Sequence, residues 1–263
     1  MIHPIKSIQA RTQKWMAGHF ELTPYGKRLA KLKDIHAGQR CFLIGNGPSL
    51  RAEDLTRLHK RGEICFAFNR IYNIFDQTPW RPTYYISQDE KMLKGCMDIV
   101  DRTPLGFKFI PINLKWYEEI RLSEAAWFLM KAPDEDEGKP LQFSDEPPKC
   151  LYNASTGMYT AAQLAAYMGF REIYLIGVDH HFHISQNNQG EIVVDNSVKD
   201  YFTEKYNEDK DKLYIPNTEK STLTYVAMKE QCDRRGIRVY NATRGGKLEV
   251  FPRVDFDTLF ENK

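Results

Sequence analysis

Cys41-Phe42-Leu43-Ile44-Gly45-Asn46-Gly47-Pro48-Ser49-Leu50 is the stretch on which the fold turns. Four apolar residues run into two glycines, an asparagine and a proline, the pattern of a buried strand that ends in a tight turn. A polar helix, Arg51 to His59, follows, with Ser49 as its candidate cap. Working downstream, Ile64 to Phe68 reads as the next buried strand and ends at Asn69-Arg70. Tyr84-Tyr85-Ile86 is a third strand, ending at Ser87-Gln88-Asp89, and Phe107 to Ile110 a fourth. Residues 132–149, acidic and proline-containing, read as a surface loop. Ser155 or Thr156 caps a helix with Met158, Ala161, Ala162, Leu164, Ala165 and Met168 inward, and Gly169 stops it. Glu172 to Val178 is a strong strand that empties into Asp179-His180-His181-Phe182-His183. A long polar insertion at about residues 184–216 reads as a mobile lid. The last helix, Glu219 to Arg235, ends at Gly236 and leads into Arg238-Val239-Tyr240 and the turn Asn241 to Gly246. Alternating strands and helices predict an α/β fold: a Rossmann-like, doubly wound, mostly parallel sheet with helices on both faces. Ligands of such sheets sit beyond the carboxyl ends of the strands, where these polar clusters fall.

Upstream, residues 1–40 carry eight basic residues against Glu21 and Asp34, a net of +6, and leave −4 for the rest of the 263-residue chain, whose total is +2. Ile5, Ile8, Thr12 and Trp15, and then Tyr25, Leu29 and Leu32, recur at helical spacing, so this arm predicts two short helices broken near Pro24. The expected organisation is a basic helical arm over residues 1–38 and one Rossmann-like domain over 39–263 that carries the insertion at about 184–216. The basic arm packs on the domain or makes peripheral contact with an anionic membrane surface.

At 42% hydrophobic and 27% charged, the chain has the composition of a folded domain with a core. Its apolar runs are too short to span a bilayer, and no signal peptide is apparent at the start. The five cysteines are scattered, without a C-x-x-C pair, which suits reduced thiols and a cytoplasmic location. The near-balanced charge speaks against nucleic acid as a partner.

Gly45 and Gly47 permit a sharp turn or close backbone approach to a ligand, but the spacing is neither G-x-G-x-x-G nor a Walker loop. Asn46 adds a side-chain amide able to read a base or sugar. Asn69 is a ligand contact or a turn former, and Asp89 a ligand, proton acceptor or helix cap. Asn153-Ala154-Ser155-Thr156-Gly157 brings hydroxyls and backbone N–H groups to a helix start, where an anion can rest. Asp179-His180-His181-x-His183 is the densest ionisable cluster. Its spacing is not that of a helix-borne metal pair, so no metal ligands are assigned and acid–base or phosphate contact is preferred. Thr243 and Arg244 are secondary candidates.

Ile44 to Leu50, Phe68-Asn69-Arg70, Ser155-Thr156-Gly157 and Glu172 to Asp179 together resemble the bacterial sialyltransferases of glycosyltransferase family 42, in order and approximate spacing over residues 40–240. Residues 240–253, Tyr-Asn-Ala-Thr-Arg-Gly-Gly-Lys-Leu-Glu-Val-Phe-Pro-Arg, look more like a related family. It includes archaeal 6-hydroxymethylpterin diphosphokinase-like enzymes, motility accessory factors of flagellin glycosylation and proteins of surface-polysaccharide clusters. The first resemblance implies that Gly45, Asn46, Asn69, Ser155, Thr156 and Gly157 hold a CMP moiety and that His181 stands where the departing phosphate is contacted; Gly47 and Ser49 complete the expected binding loop. The family's general-base histidine has no counterpart in Tyr214 to Glu219, and its third-strand asparagine is replaced within Ser87-Gln88-Asp89. Asp179, His181 and Asp89 are therefore the catalytic candidates.

The expected function is a glycosyltransferase using a nucleotide-activated, CMP-linked sugar in surface polysaccharide or glycoconjugate synthesis, with a glycan acceptor and no cofactor. The alternatives are an ATP diphosphokinase acting on a pterin-like alcohol, with Mg²⁺ on Asp89 and Asp179, and a non-catalytic nucleotide-binding module. The protein is expected in the cytoplasm or at the inner face of the membrane, and a homo-oligomer is compatible with the sequence.

Overall fold

The computed structural model describes residues 4–134, 140–187, 189–195, 197, 199–203 and 214–261. Two helices, α1 (Pro4–Gly18) and α2 (Pro24–Ala30), open the chain. The break between them falls where expected, because Thr23 takes an extended conformation, Pro24 supplies a preset first turn and the Thr23 hydroxyl accepts from the Gly26 N–H at 3.1 Å. Phe20 at the break is fully buried, and Arg28 of α2 donates to the Ala125 carbonyl. The outward face of α1 leaves Ile8 and Trp15 exposed beside Arg11 and Lys14.

The strands then follow as β1 (Arg40–Ile44), β2 (Cys65–Phe68), β3 (Tyr84–Ile86), β4 (Phe107–Pro111) and β5 (Ala126–Phe128), with helices α3 (Ala52–Lys60), α4 (Glu90–Arg102) and α5 (Ile112–Tyr117) in the crossovers. A short pair, β6 (Met130–Lys131) and β7 (Leu151–Tyr152), leads to α6 (Gly157–Tyr167) and β8 (Glu172–Ile176). The hairpin β9 (Ile184–Gln186) and β10 (Ile192–Val194), α7 (Thr218–Arg234) and β11 (Arg238–Asn241) complete the order.

Seven strands form one sheet in the order β11-β8-β1-β2-β3-β4-β5, each neighbouring pair parallel. The fold is thus the doubly wound, Rossmann-like α/β sheet the sequence predicts. Most strand positions are apolar and buried, as a sheet covered on both faces requires. Phe42, Tyr174 and Tyr240 sit in register on adjacent strands and stack at 5.3 Å each, a ladder that fixes β1, β8 and β11 against one another. From β1 the chain winds one way to β5, then returns through α6 to place β8 on the other side of β1. That reversal opens a crevice between the carboxyl ends of β1 and β8.

Two local expectations are corrected. Ser49 does not cap α3: the helix starts at Ala52, Arg51 occupies the cap without a side-chain bond, and the Ser49 hydroxyl goes to Asp179 instead. The segment 132–149 is not simply a surface loop. Residues 135–139 lie outside the described residues, but Phe143 and Ser144 are buried, and Gln163 of α6 accepts from the Ser144 N–H at 2.9 Å. The insertion at 184–216 holds the β9–β10 hairpin, and Phe202 donates its backbone N–H to the Asn46 carbonyl at 3.1 Å. The rest of the lid expectation, residues 188, 196, 198 and 204–213, lies outside the described residues. Among the described residues no helix is long and apolar enough to cross a membrane.

Candidate functional site

The glycines at the crevice are demanded first by the protein itself. A Cβ on Gly45 would stand 2.2 Å from the Gly177 carbonyl oxygen, and one on Gly47 would stand 2.0 Å from Asp179 Oδ2. Gly177 adopts φ +66°, and its own Cβ would meet the Gly45 oxygen at 2.7 Å. The exits of β1 and β8 therefore cross backbone to backbone, with room for no side chain. Asp179 closes the crossing, since its Oδ2 accepts from the Ser49 hydroxyl at 2.7 Å and from the Ser49 N–H at 3.3 Å.

Beyond this crossing lies a cleft of about 680 Å³, within the usual range for small-ligand sites. Gly45, Asn46, Gly47, Asn69, Asp89, Ser155, Thr156, Gly157, Asp179 and His181 all line it. Ser49 stands behind Asp179. Asn46 Nδ2 donates to the Phe68 carbonyl at 3.1 Å, tying the β1 exit to the end of β2. Asn69 sits at φ +51°, which asparagine tolerates better than other non-glycine residues, and its Oδ1 accepts from the Ser87 hydroxyl at 3.2 Å. The start of α6 faces these amides. Thr156 is its cap, accepting from the Met158 N–H at 3.3 Å, and Gly157 packs so close that a Cβ would meet the Phe68 ring at 3.2 Å. The cap is thus Thr156, and Ser155 beside it is exposed.

Several lining groups carry no sequence signal of their own. Gln88, which follows β3, donates to Asn153 Oδ1 at 2.9 Å and accepts from the Thr160 hydroxyl at 2.6 Å, so the β3 exit and α6 are pinned together. Tyr225 of α7 comes within 3.4 Å of the Thr156 hydroxyl, and burial pushes its phenol up to about 12, so it stays protonated. Tyr201, with Asp200, enters from the insertion, and burial pushes it likewise to about 12. Only the fold brings these together. The signal that could have found His180 was its place in the Asp-His-His run.

The titratable groups divide by environment. Asp89 caps α4, accepting from the Met92 N–H at 2.9 Å, and burial raises its carboxyl above the ordinary range. Asp179 is raised by burial as well, and the Ser49 bonds only partly offset this. His180 lies in the left-handed region at φ +53°, an uncommon conformation for such a residue and one that clusters at functional sites. Burial lowers its pKa, and its Nε2 lies 2.7 Å from Thr222 Oγ1. The Thr222 hydroxyl proton is already given to the Thr218 carbonyl, so His180 is the donor in that pair. His181 Nε2 stands 3.0 Å from Asp195 Oδ2. Thr243 and Arg244 do not line the cleft: Thr243 Oγ1 accepts from the Val178 N–H, and Arg244 forks onto Asp54 and Asp257, a clasp for the C-terminal segment.

A buried, raised carboxylate makes a signed expectation. The cost of ionising Asp179 is fully present above its raised pKa and vanishes below the ordinary carboxylate value. Asp179→Asn keeps an oxygen for Ser49 and removes that cost, so its melting temperature at neutral pH should equal or exceed wild type, the difference shrinking as pH falls through the raised pKa of Asp179 and gone below about 4. Asp179→Ala, which strands the Ser49 donors, should cost about 1–3 kcal/mol. A melting temperature for the asparagine variant well below wild type at pH 7 would overturn this view of the crossing.

Among the described residues no group of three His, Cys, Asp or Glu side chains is close enough to hold a metal ion. No protein-family model matches the chain. A search of the curated proteins finds no significant relative. Among solved structures, the MAf glycosyltransferase from Magnetospirillum magneticum AMB-1 is similar at 14% identity and a TM-score of 0.49 over 89% of this chain. The present chain spans 38% of the length of that protein.

Proposed function

We propose that the cleft binds a nucleotide-activated sugar, CMP-linked, and that the protein transfers the sugar to a glycan hydroxyl in surface-polysaccharide or glycoconjugate synthesis. The observation that carries this reading is the convergence at the β1–β8 switch of two side-chain amides, Asn46 and Asn69, with the start of α6 across one cleft. Amides suit the donors and acceptors of a base and ribose, and a helix start with a hydroxyl cap suits one phosphate. The sequence resemblance to family 42 sialyltransferases falls on the same residues.

The charge of the lining favours a monophosphate donor. Its described residues include Asp89, Glu90, Asp179 and Asp200 and no lysine or arginine. A second phosphate charge at about 8 Å from one carboxylate, at an effective dielectric of about 20, costs about 2 kcal/mol, or roughly 30-fold in affinity. CMP-sugars bring one phosphate charge where UDP- or GDP-sugars bring two. The acceptor hydroxyl would attack the anomeric carbon as the bond to phosphate breaks. The electron pair leaves on the phosphate oxygen, and a base in the cleft takes the hydroxyl proton.

The same carboxylates are the observation that favours the second reading, an Mg²⁺-dependent diphosphokinase. Both Asp89 and Asp179, its expected ligands, are committed to protein donors, which makes it the weaker one. A thermal-shift panel of CMP, UDP, GDP and ATP, each with and without Mg²⁺, separates them. CMP at 100 times its Kd should add about 2.7 kcal/mol without metal. Stabilisation only by ATP with Mg²⁺ would transfer the case to the diphosphokinase, and no stabilisation by any nucleotide would remove both.

A further inference from the structure

We propose that His181 is the base of the transfer reaction and that Asp195, delivered by the β9–β10 hairpin, is its positioning residue. This rests on the reading of the cleft as a sugar-transfer site. Asp195 follows β10, fourteen residues after His181, and the hairpin folds it back so that its Oδ2 lies 3.0 Å from His181 Nε2. The turn is held at both levels. The Asp195 N–H donates to the His183 carbonyl at 2.7 Å, and the Asp195 carbonyl lies 2.8 Å from His183 Nδ1. The other carboxylate oxygen, Oδ1, accepts from the Ser197 N–H at 2.9 Å and the Ser197 hydroxyl at 2.5 Å.

These bonds hold the Asp195 carboxyl below its ordinary range, the Ser197 donors first and His181 after them. It is therefore a carboxylate, which only accepts hydrogen bonds. The hydrogen between it and His181 must be on Nε2, so in the neutral ring the lone pair is on Nδ1. A general base must also stabilise the cation it becomes. His181 has a carboxylate at 3.0 Å to do so, whereas His180, buried against Thr222 and Tyr225, is kept neutral. Asp89 and Asp179 already accept from Met92 and Ser49. Of the ionisable cleft residues considered as bases, His181 alone combines a place in the lining with a partner suited to its protonated form. In the transfer step the acceptor oxygen bonds to the anomeric carbon, the phosphate oxygen leaves with the old bond's electrons, and the acceptor proton ends on His181 Nδ1.

The test uses the full chain, a CMP-sugar donor with water as acceptor, and ¹⁵N-histidine spectra of the same samples. His181→Ala should lower kcat by about 10²- to 10⁴-fold. Asp195→Asn should lower kcat roughly 10- to 100-fold with KM and the Kd of CMP unchanged, and Asp195→Glu should restore part of it, as a merely structural residue would not. In the spectra, wild-type His181 should be the Nε2–H tautomer, and Asp195→Asn a mixture. Wild-type turnover in Asp195→Asn, or a His181 that is predominantly the Nδ1–H tautomer in the wild type, would overturn the proposal. If CMP binds and the donor is hydrolysed but His181→Ala is unimpaired, the base is elsewhere while the cleft reading stands. If neither CMP nor donor interacts with wild type, the cleft reading fails, and with it the base role.

Discussion

Gly45→Ala is expected to lower the melting temperature by roughly 10 °C and to abolish CMP binding. The added Cβ would stand 2.2 Å from the Gly177 oxygen and 2.8 Å from the Gly177 carbonyl carbon. Both are backbone atoms of the neighbouring strand exit, so no flexible side chain can yield. Overpacking usually costs about 1–3 kcal/mol, and a backbone clash belongs at or above the upper end. At about 2–4 °C per kcal/mol for a chain of this size, that gives the stated shift. Relief requires the two exits to separate, which would move Asn46 and Asp179 out of the cleft. Gly18→Ala is the control, because nothing lies within 4 Å of its Cβ and its φ is ordinary. A Gly45→Ala protein melting within 2 °C of wild type would mean that the crossing is looser than described.

Gln163→Ala is expected to be as damaging, by a different route. Gln163 is fully buried and makes four hydrogen bonds with its side chain. Its oxygen accepts from the Ser144 and Tyr152 N–H groups at 2.9 and 3.0 Å, and its nitrogen donates to the Tyr152 and Tyr159 carbonyls. Alanine strands backbone groups away from water, each at about 1–3 kcal/mol, for a total of roughly 3–5 kcal/mol. Because the residues it staples lead directly to Asn153 and the α6 cap, the loss should reach the cleft. Hydrogen exchange of the variant should show the Ser144 and Tyr152 amides deprotected before those of the seven-stranded sheet. Unchanged melting and unchanged protection of those amides would contradict the staple.

The contrast between these two residues shows what was legible in the sequence. Gly45 sits in a strand-turn-helix pattern whose meaning is local, and the same holds for β2, β3, β8 and the α6 start, all readable from apolar runs and turn residues. Gln163 is a polar residue within an apolar helix, and only the packed fold shows that it satisfies a neighbouring loop. The strand Ala126–Phe128 is no shorter than β3 but runs on into Leu129 and Met130, without the polar cluster that marks the ends of the strands that were read. Ser49 does not cap because α3 starts at Ala52, which puts Arg51 at the cap two residues later, and the Ser49 hydroxyl donates to the Asp179 carboxylate, 130 residues away. The cleft amides were visible as turn-forming asparagines after strands. Tyr225 and Asp195, which bond to Thr156 and His181, were not, since each contact joins segments distant in sequence or folded back on themselves, and Gln88, which bonds to Asn153 and Thr160, was marked only by its place after β3.

That the cleft holds CMP is the proposal on which the rest depends, and methionine methyl groups report on it directly. Met92, Met130 and Met158 line the cleft, while Met16, Met97, Met168 and Met228 do not. With ¹³C-methyl methionine, a CMP titration should move the first three resonances along one saturable curve and leave the others in place. If CMP saturates with shifts confined to the second group, or no resonance moves at millimolar CMP, the cleft at the β1–β8 switch is not a CMP site.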